Sequence, residues 1–210
     1  LAGNYTVSAS TTDGTMCTRE RTIVVNTSNI ASITDDDVTI IDQSNTTSND
    51  NLSIQINNNN QNLGIGEYQY ALEDENGILI RNYQDEPLFE NLEGGIYNIL
   101  VNDKNGCGTV NLWVSVLEFP KFFTPNFDGT NDTWVIKGAN RTFYPESSIN
   151  IFNRYGKIIA QIALDSQGWD GTYNGKILPS DDYWFHIQLV PVNTNRNTIT
   201  KKGHFSLLRR

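Results

Sequence analysis

Four oxygen-bearing side chains lie within seven residues of one another in the stretch 122–134: Asn126, Asp128, Asn131 and Asp132. Carboxylate and amide oxygens are the hard ligands that Ca²⁺ takes in proteins. The spacing resembles part of a calcium loop but lacks a downstream glutamate at the usual distance. The same side chains could instead cap turns by accepting backbone N–H groups, next to a Pro125 that fixes φ. The stretch predicts either a structural calcium site or a capped turn.

A second group of side chains could stack against sugar rings: Trp169, Tyr173, Tyr183 and Trp184. If these aromatics were exposed, the chain would be a carbohydrate-binding module. However, Trp169 precedes a turn and Tyr183 belongs to a run in which every second residue is apolar, which favours buried core anchors. On that interpretation all four tryptophans of the chain are expected to be shielded from solvent.

The sequence offers no recognisable catalytic group. Of its two histidines, His186 falls on the strand face opposite the core residues and His204 lies beside the chain end. Neither has a nucleophile nearby in a known motif. Asp170 and Asp182 fit turn closure better than a pair of glycosidase carboxylates. We predict that the chain is not an enzyme.

The elements that position these residues are predicted to be strands. The chain has 210 residues, is 38% hydrophobic and contains 27 asparagines, which disfavour helix interiors and suit turns. Short strand candidates at 38–41, 52–56, 68–72 and 78–80 alternate with Asn, Asp and Gly clusters, which indicates an all-β fold. Asn174-Gly175 predicts a type I′ hairpin turn. No run of 18 apolar residues occurs, so we expect no membrane-spanning helix. The net charge of −9, with scattered basic residues, argues against nucleic acid as a partner.

Charge divides the chain into two halves. Residues 1–118 carry a net charge of −13 and residues 119–210 carry +4. The change falls near Phe119-Pro120, where a strand-like run ends, which suggests a domain boundary. We predict a tail of a preceding Ig-like repeat at 1–37, a complete Ig-like repeat at 38–118 and a further β-sandwich of about seven strands at 119–210.

An internal repeat supports the first boundary. The segments 1–7 and 92–99 share a Leu, Gly and Tyr pattern, and each leads through a turn to a cysteine and then to a β-branched strand. The two copies stand about 90 residues apart, a spacing that suits sandwich domains in tandem. Cys17 and Cys107 occupy equivalent places in different repeats, so we favour free thiols over a disulfide between them.

Five ordered motifs fill the basic half: F-x-T-P-N-x-D-G-x-N-D-x-W (122–134), I-x-I-F-x-R-Y-G-K (149–157), G-W-D-G-x-Y-N-G (168–175), L-P-S-x-D-Y-W-F (178–185) and G-H-F-S-L-x-R (203–209). Their order resembles the type B C-terminal sorting domain, the gliding-motility-associated domain of type IX secretion system substrates. The residues that carry the motifs are Pro125, Asn126, Asp128, Asn131, Asp132, Trp134, Arg154, Tyr155, Gly156, Trp169, Asp170, Tyr183 and Trp184. Phe127 departs from the family, which usually has Gly there. The acidic half resembles more loosely the Ig-like adhesin repeats that often precede such domains.

The resemblance implies two Ig-like β-sandwiches in tandem, preceded by a partial repeat. It also implies a sorting signal that directs a large surface adhesin through the type IX translocon, via the periplasm, to the bacterial cell surface or medium. A PorP/SprF-type outer-membrane barrel is the implied partner, no cofactor beyond the possible calcium is expected, and the chain is expected to be a monomer.

The last strand is where a translocon could recognise the folded domain. A partner could recognise its terminal carboxylate or add a strand to its exposed edge, and basic side chains there could steer the domain electrostatically. The alternative is that these charges only keep an edge strand soluble. The predicted recognition residues are Lys201, Lys202, His204, Phe205, Leu207, Arg209 and Arg210.

Overall fold

A computed structural model describes residues 1–15, 17–42 and 52–209. The fold is all-β, as predicted, with two single-turn 3-10 helices at Asp35–Asp37 and Asn59–Gln61. No helix in the described part of the chain is long and apolar enough to span a membrane.

The first element is a hairpin of two strands, β1 (Gly3–Ser10) and β2 (Thr18–Val25), which pair antiparallel. Every residue of both strands is exposed. Ser28 and Ala31, which follow the hairpin, already contact the next unit: Ser28 Oγ donates to Asp103 Oδ1 at 2.7 Å and Ala31 joins the core there. The segment predicted as a repeat tail is thus divided between a free hairpin and a part that packs on the next unit.

The middle unit is a sandwich of seven strands: β3 (Val38–Asp42), β4 (Leu52–Ile56), β5 (Tyr68–Glu73), β6 (Leu79–Gln84), β7 (Leu88–Leu92), β8 (Gly95–Asp103) and β9 (Gly108–Val116). One antiparallel sheet has the order β3-β4-β7 and the other has the order β6-β5-β8-β9. Period-two alternation sends apolar side chains from both sheets into one core. Its most buried members include Ile54, Leu72, Phe89, Ile99 and Val116.

The C-terminal unit has five strands in its main sheet: β10 (Phe122–Phe123), β11 (Glu146–Phe152), β12 (Ile158–Ile162), β15 (Asp181–Val190) and β16 (Ile199–Leu207). Their order is β10-β16-β15-β11-β12, and only β10 runs parallel to its neighbour. Two shorter strands, β13 (Thr172–Tyr173) and β14 (Lys176–Ile177), form a hairpin. An isolated antiparallel bridge joins Trp134 to Trp169, and both side chains belong to the core of the unit.

One feature recurs in all three units. Tyr5, Tyr97 and Tyr183 each donate their hydroxyl to the backbone carbonyl four residues upstream, at 2.7, 2.8 and 3.0 Å. Such a tyrosine corner is a hallmark of Ig-like sandwiches. The repeated hairpins also share their register, since Gly3 pairs with Val25 and Gly95 pairs with Val116. The β1–β2 hairpin therefore has the same strand register and the same tyrosine contact as the β8–β9 hairpin. Its apolar face, however, is exposed.

Several local predictions can be compared with the strands. Asn174-Gly175 was predicted to form a type I′ turn, and both residues have positive φ, 49° and 73°. The strand predicted at 78–80 starts one residue later and continues to Gln84. The sequence reading missed β7, where Asn91 interrupts the strand with a φ of 55°. The final strand starts at Ile199 and ends at Leu207.

The middle and C-terminal units meet along a polar seam. Glu118 and Lys137 exchange two backbone hydrogen bonds, of 3.1 and 3.2 Å. Ser115 Oγ donates to the carbonyl of Gly138 at 2.7 Å. Farther along, Asn193 Nδ2 donates to Asp35 Oδ2 at 2.9 Å. The predicted boundaries at 37/38 and 118/119 stay predictions.

Candidate functional site

The 122–134 loop is organised around the carboxylate of Asp132. Its Oδ1 accepts the backbone N–H groups of Asn126 at 3.0 Å and Phe127 at 2.6 Å, and its Oδ2 accepts that of Gly129 at 2.8 Å. The carboxylate thereby satisfies three backbone donors of the loop. Both oxygens are directed at the backbone, which is the capped-turn arrangement.

Asp128 and Asn126 form a second, smaller turn within that loop. Asn126 Nδ2 donates to Asp128 Oδ2 at 2.7 Å, and Asp128 Oδ1 accepts the N–H of Thr130 at 2.8 Å. The bond from Asn126, followed by that from Thr130, lowers the pKa of Asp128. A carboxyl with a lowered pKa stabilises the fold above its unfolded pKa, and the contribution disappears as the pH falls through the folded pKa. Asn131 contributes its backbone carbonyl, which accepts the N–H of Thr124 at 2.7 Å.

Phe127 has a φ of 64°, in the left-handed region that favours glycine, and its side chain is 94% exposed. The positive φ that the family pattern implies is thus kept although the residue differs. The three hydrogen bonds to Asp132 hold the backbone in this strained conformation.

Calcium titration tests the two interpretations of this loop. Because the carboxylates accept backbone donors, we expect the chelator-treated chain to give neither heat nor a thermal shift on addition of Ca²⁺. A saturable heat that Asp132→Asn abolishes would favour the cation instead. Among the described residues, no group of three or more His, Cys, Asp or Glu side chains is arranged to hold a metal ion.

The aromatic platform that was the alternative to core anchors is not formed. Trp169 and Tyr183 are buried and pack edge-to-face, with ring centroids 5.0 Å apart. Trp169 Nε1 donates to the carbonyl of Thr172 at 2.8 Å, and Trp134 is 0% exposed. Trp113 and Trp184 are each 40% exposed, so the expectation that all four tryptophans are shielded is wrong. Trp184 alternates with the buried Tyr183 and Phe185, which places its ring on the outer face of the sheet.

An ion pair between Arg154 and Asp181 joins the turn at 153–156 to the start of β15. Arg154 Nε donates to Asp181 Oδ2 at 3.0 Å, and this bond lowers the pKa of Asp181. Tyr155 is exposed and Gly156 has the positive φ of a tight turn, 76°. Asp170 closes its own turn by accepting the N–H of Thr172 at 3.0 Å. These motif residues hold loops rather than converge on a common centre.

The basic residues predicted to recognise a partner are separated by the fold. Lys201 lies over the ring of Phe119, with Nζ 4.1 Å from the ring centroid, and it pairs with Asp42 at 3.8 Å. Lys202 and His204 point to the opposite face of β16 and are exposed. Phe205 and Leu207 are fully buried in the core. Arg210 lies outside the described residues.

The guanidinium and the backbone of Arg209 both donate hydrogen bonds within the C-terminal unit. Its Nε donates to the carbonyl of Leu178 at 2.9 Å and its Nη2 to that of Gly171 at 3.1 Å. Its backbone N–H donates to Ser180 Oγ at 2.8 Å. The guanidinium therefore ties the end of the chain to the β13–β14 hairpin.

We expect Arg209→Gln to lower the free energy of unfolding by about 2 kcal/mol, because partly buried carbonyls lose a charged donor. Lys202→Gln removes the same charge from an exposed position and is expected to change stability by less than about 0.5 kcal/mol. Urea denaturation followed by circular dichroism measures both. Equal midpoints for the two variants would contradict this role for Arg209.

Residues 117–207 match the CHU_C type IX secretion signal domain. This match confirms the resemblance of the C-terminal unit to a type B C-terminal sorting domain. Comparison with curated proteins found no match.

Solved structures with similar regions include the BSP domain of a biofilm associated protein, at 12% identity and a TM-score of 0.25, over 76% of this chain and 27% of that one. This chain thus spans about a quarter of that structure's length. Another is the FN1–FN3 portion of chicken CNTN1, at 13% identity and a TM-score of 0.26, over 95% and 77% of the two chains.

The match supports a sorting role for the C-terminal unit, and a type IX secretion signal implies export to the cell surface or the medium. It also suggests that the unit is not catalytic. The matched segment includes Lys137 and Gly138 and ends at Leu207, so it comprises the main sheet and the whole buried core of the unit.

Proposed function

We propose that this chain is a non-enzymatic sorting module that carries a large surface adhesin through the type IX secretion system and across the outer membrane. The observation that carries the proposal is the match of residues 117–207 to the secretion signal domain. The adhesin part rests on the acidic sandwich and the free hairpin upstream of it, which have the form of tandem Ig-like units.

The signal acts as a folded surface in this proposal. The motif residues Trp134, Trp169 and Tyr183 are buried, so a partner that meets the folded domain does not contact their side chains. Their role is to build the sandwich whose surface is recognised. The partners we propose are the type IX translocon and an outer-membrane barrel of the PorP/SprF type.

Carbohydrate binding is the weaker candidate. It required Trp169, Tyr173, Tyr183 and Trp184 to form one exposed platform, yet Trp169 and Tyr183 belong to the core. A sugar ring stacks on an open aromatic face, and two buried rings provide none.

Export of a reporter tests the proposed function. A reporter joined to the N terminus of the 210-residue chain is expected outside type IX-competent cells and inside cells that lack the translocon. The matched control ends the chain after Val116, before the secretion signal domain begins, and its reporter is expected to stay inside. Equal export with and without residues 117–210 would refute the proposal.

A further inference from the structure

The outer face of the C-terminal sheet carries a row of three rings, of which that of Trp184 is 40% exposed and that of Phe152 is half-buried. Phe152 of β11, Trp184 of β15 and His204 of β16 are directly opposite one another across three neighbouring strands. The indole and the imidazole have their centroids 6.4 Å apart. Since residues opposite each other on one face of a sheet are in contact distance, the three form one continuous surface.

A second row of polar groups lies directly beside the first. Asn150, His186 and Lys202 are opposite one another on the same three strands. Gln161 Nε2 donates to Asn150 Oδ1 at 2.9 Å and extends this row to β12. We call the surface formed by these two rows the outer sheet face. It is defined by five residues: Phe152, Trp184, His186, Lys202 and His204.

The outer sheet face encloses a shallow depression of about 530 Å³. None of the described residues that line it is an Asp or Glu, and Lys202 carries the one full charge among them. The nearest carboxylate along β15, that of Asp182, accepts the hydroxyl of Ser206 at 2.6 Å in the adjoining register position. Lys202 is therefore the charge that a bound partner meets in the depression, and it favours a carboxylate there.

We propose that the outer sheet face docks an acidic segment of a partner protein in the export apparatus, a step that rests on the proposed function. Trp184 is its anchor, and Lys202 pairs with a carboxylate of the partner. Of the residues expected from the sequence to recognise a partner, this face unites Lys202 and His204 with Trp184, whereas Lys201 and Arg209 have contacts elsewhere.

The arrangement fits a protein partner better than a sugar chain. A glycan platform needs several open aromatic faces in line, but only Trp184 is exposed here, while Phe152 is half-buried. One exposed tryptophan ringed by hydrogen-bonding groups is the pattern of a protein–protein hot spot, in which Trp is enriched and polar neighbours exclude water. Because the described lining contains Lys202 and no carboxylate, it is complementary in charge to an acidic segment.

The test replaces the anchor without touching the core. In the 210-residue chain fused to a reporter, Trp184→Thr, Lys202→Gln and His204→Thr are combined, because all three side chains point outward and Thr and Gln suit an exposed strand face. The matched control is Trp113→Thr, which removes a tryptophan of the same 40% exposure from the middle unit.

We expect the triple variant to fold with a Tm within about 4 °C of the wild type, since no buried group is lost. We expect its export rate to fall about 30-fold, as truncation of a hot-spot tryptophan weakens an interface by that factor or more. The Trp113→Thr control is expected to be exported at the wild-type rate.

The other outcomes separate the two proposals. Wild-type export of a folded triple variant would overturn the docking face and leave the proposed function standing. Failure of the wild-type chain to export the reporter would overturn both. Trp184-dependent binding of the purified chain to alginate, or a Trp184-dependent dimer in size-exclusion chromatography, with unchanged export in either case, would assign the face to an acidic polysaccharide or to a second copy instead.

Discussion

Trp134→Ala is expected to destabilise the C-terminal unit strongly and to leave the stability of the middle unit unchanged. Trp134 is 0% exposed and stacks on Phe205, with centroids 4.3 Å apart and planes inclined by 13°. Its Nε1 donates to the carbonyl of Pro120 at 2.9 Å, which ties the start of the unit to the core. Replacing a buried Trp by Ala costs about 3–5 kcal/mol, a large part of the roughly 5–15 kcal/mol that a domain has.

Urea denaturation, with near-ultraviolet circular dichroism as the probe, measures this effect. The matched control is Trp184→Ala in the same unit, which removes an exposed indole and is expected to cost about 1 kcal/mol or less. Export of the reporter should fall with Trp134→Ala, because a smaller fraction of the chain presents the folded surface. Similar midpoints for the two variants would show that the core does not depend on Trp134.

The core of the C-terminal unit could be predicted from local pattern. Tyr183, Phe185 and Ile187 alternate with outward residues, and period two alone sends them inward and Trp184 outward. The turn at Asn174-Gly175 could be predicted because Asn and Gly both tolerate positive φ. The same alternation predicts that Trp184 is exposed. The expectation that all four tryptophans are shielded was wrong because it treated every aromatic residue as a core residue, whatever its position in the strand.

The candidate recognition face could not be predicted in the same way. It depends on the register between β11, β15 and β16, which brings Phe152, Trp184 and His204 together from positions up to 52 residues apart in the sequence. Arg209 looked like a surface charge because its acceptors are backbone carbonyls, which leave no trace in residue types. Strand register and the direction of backbone carbonyls are set only when the sheet assembles, so residue types alone do not predict them.

Gly138→Ala is expected to separate the two units. Gly138 has a φ of 75°, and a Cβ there would lie 2.1 Å from the carbonyl oxygen of Val116 and 2.9 Å from that of Gly95. Both are backbone atoms of the paired strands β8 and β9, so neither can rotate away. The seam must open instead, and the hydrogen bond from Ser115 Oγ to the Gly138 carbonyl is then lost.

Gly156→Ala is the control that isolates the clash from backbone strain. Gly156 has nearly the same φ, 76°, but a Cβ there would meet nothing within 4 Å. It should show only the left-handed strain of about 1–2 kcal/mol. Gly138→Ala carries that strain plus the steric conflict, so its urea midpoint should be clearly lower and its radius of gyration in small-angle scattering larger. Equal midpoints and an unchanged radius would mean that the seam adapts to a methyl group, and that the units are not held by this close approach of backbones.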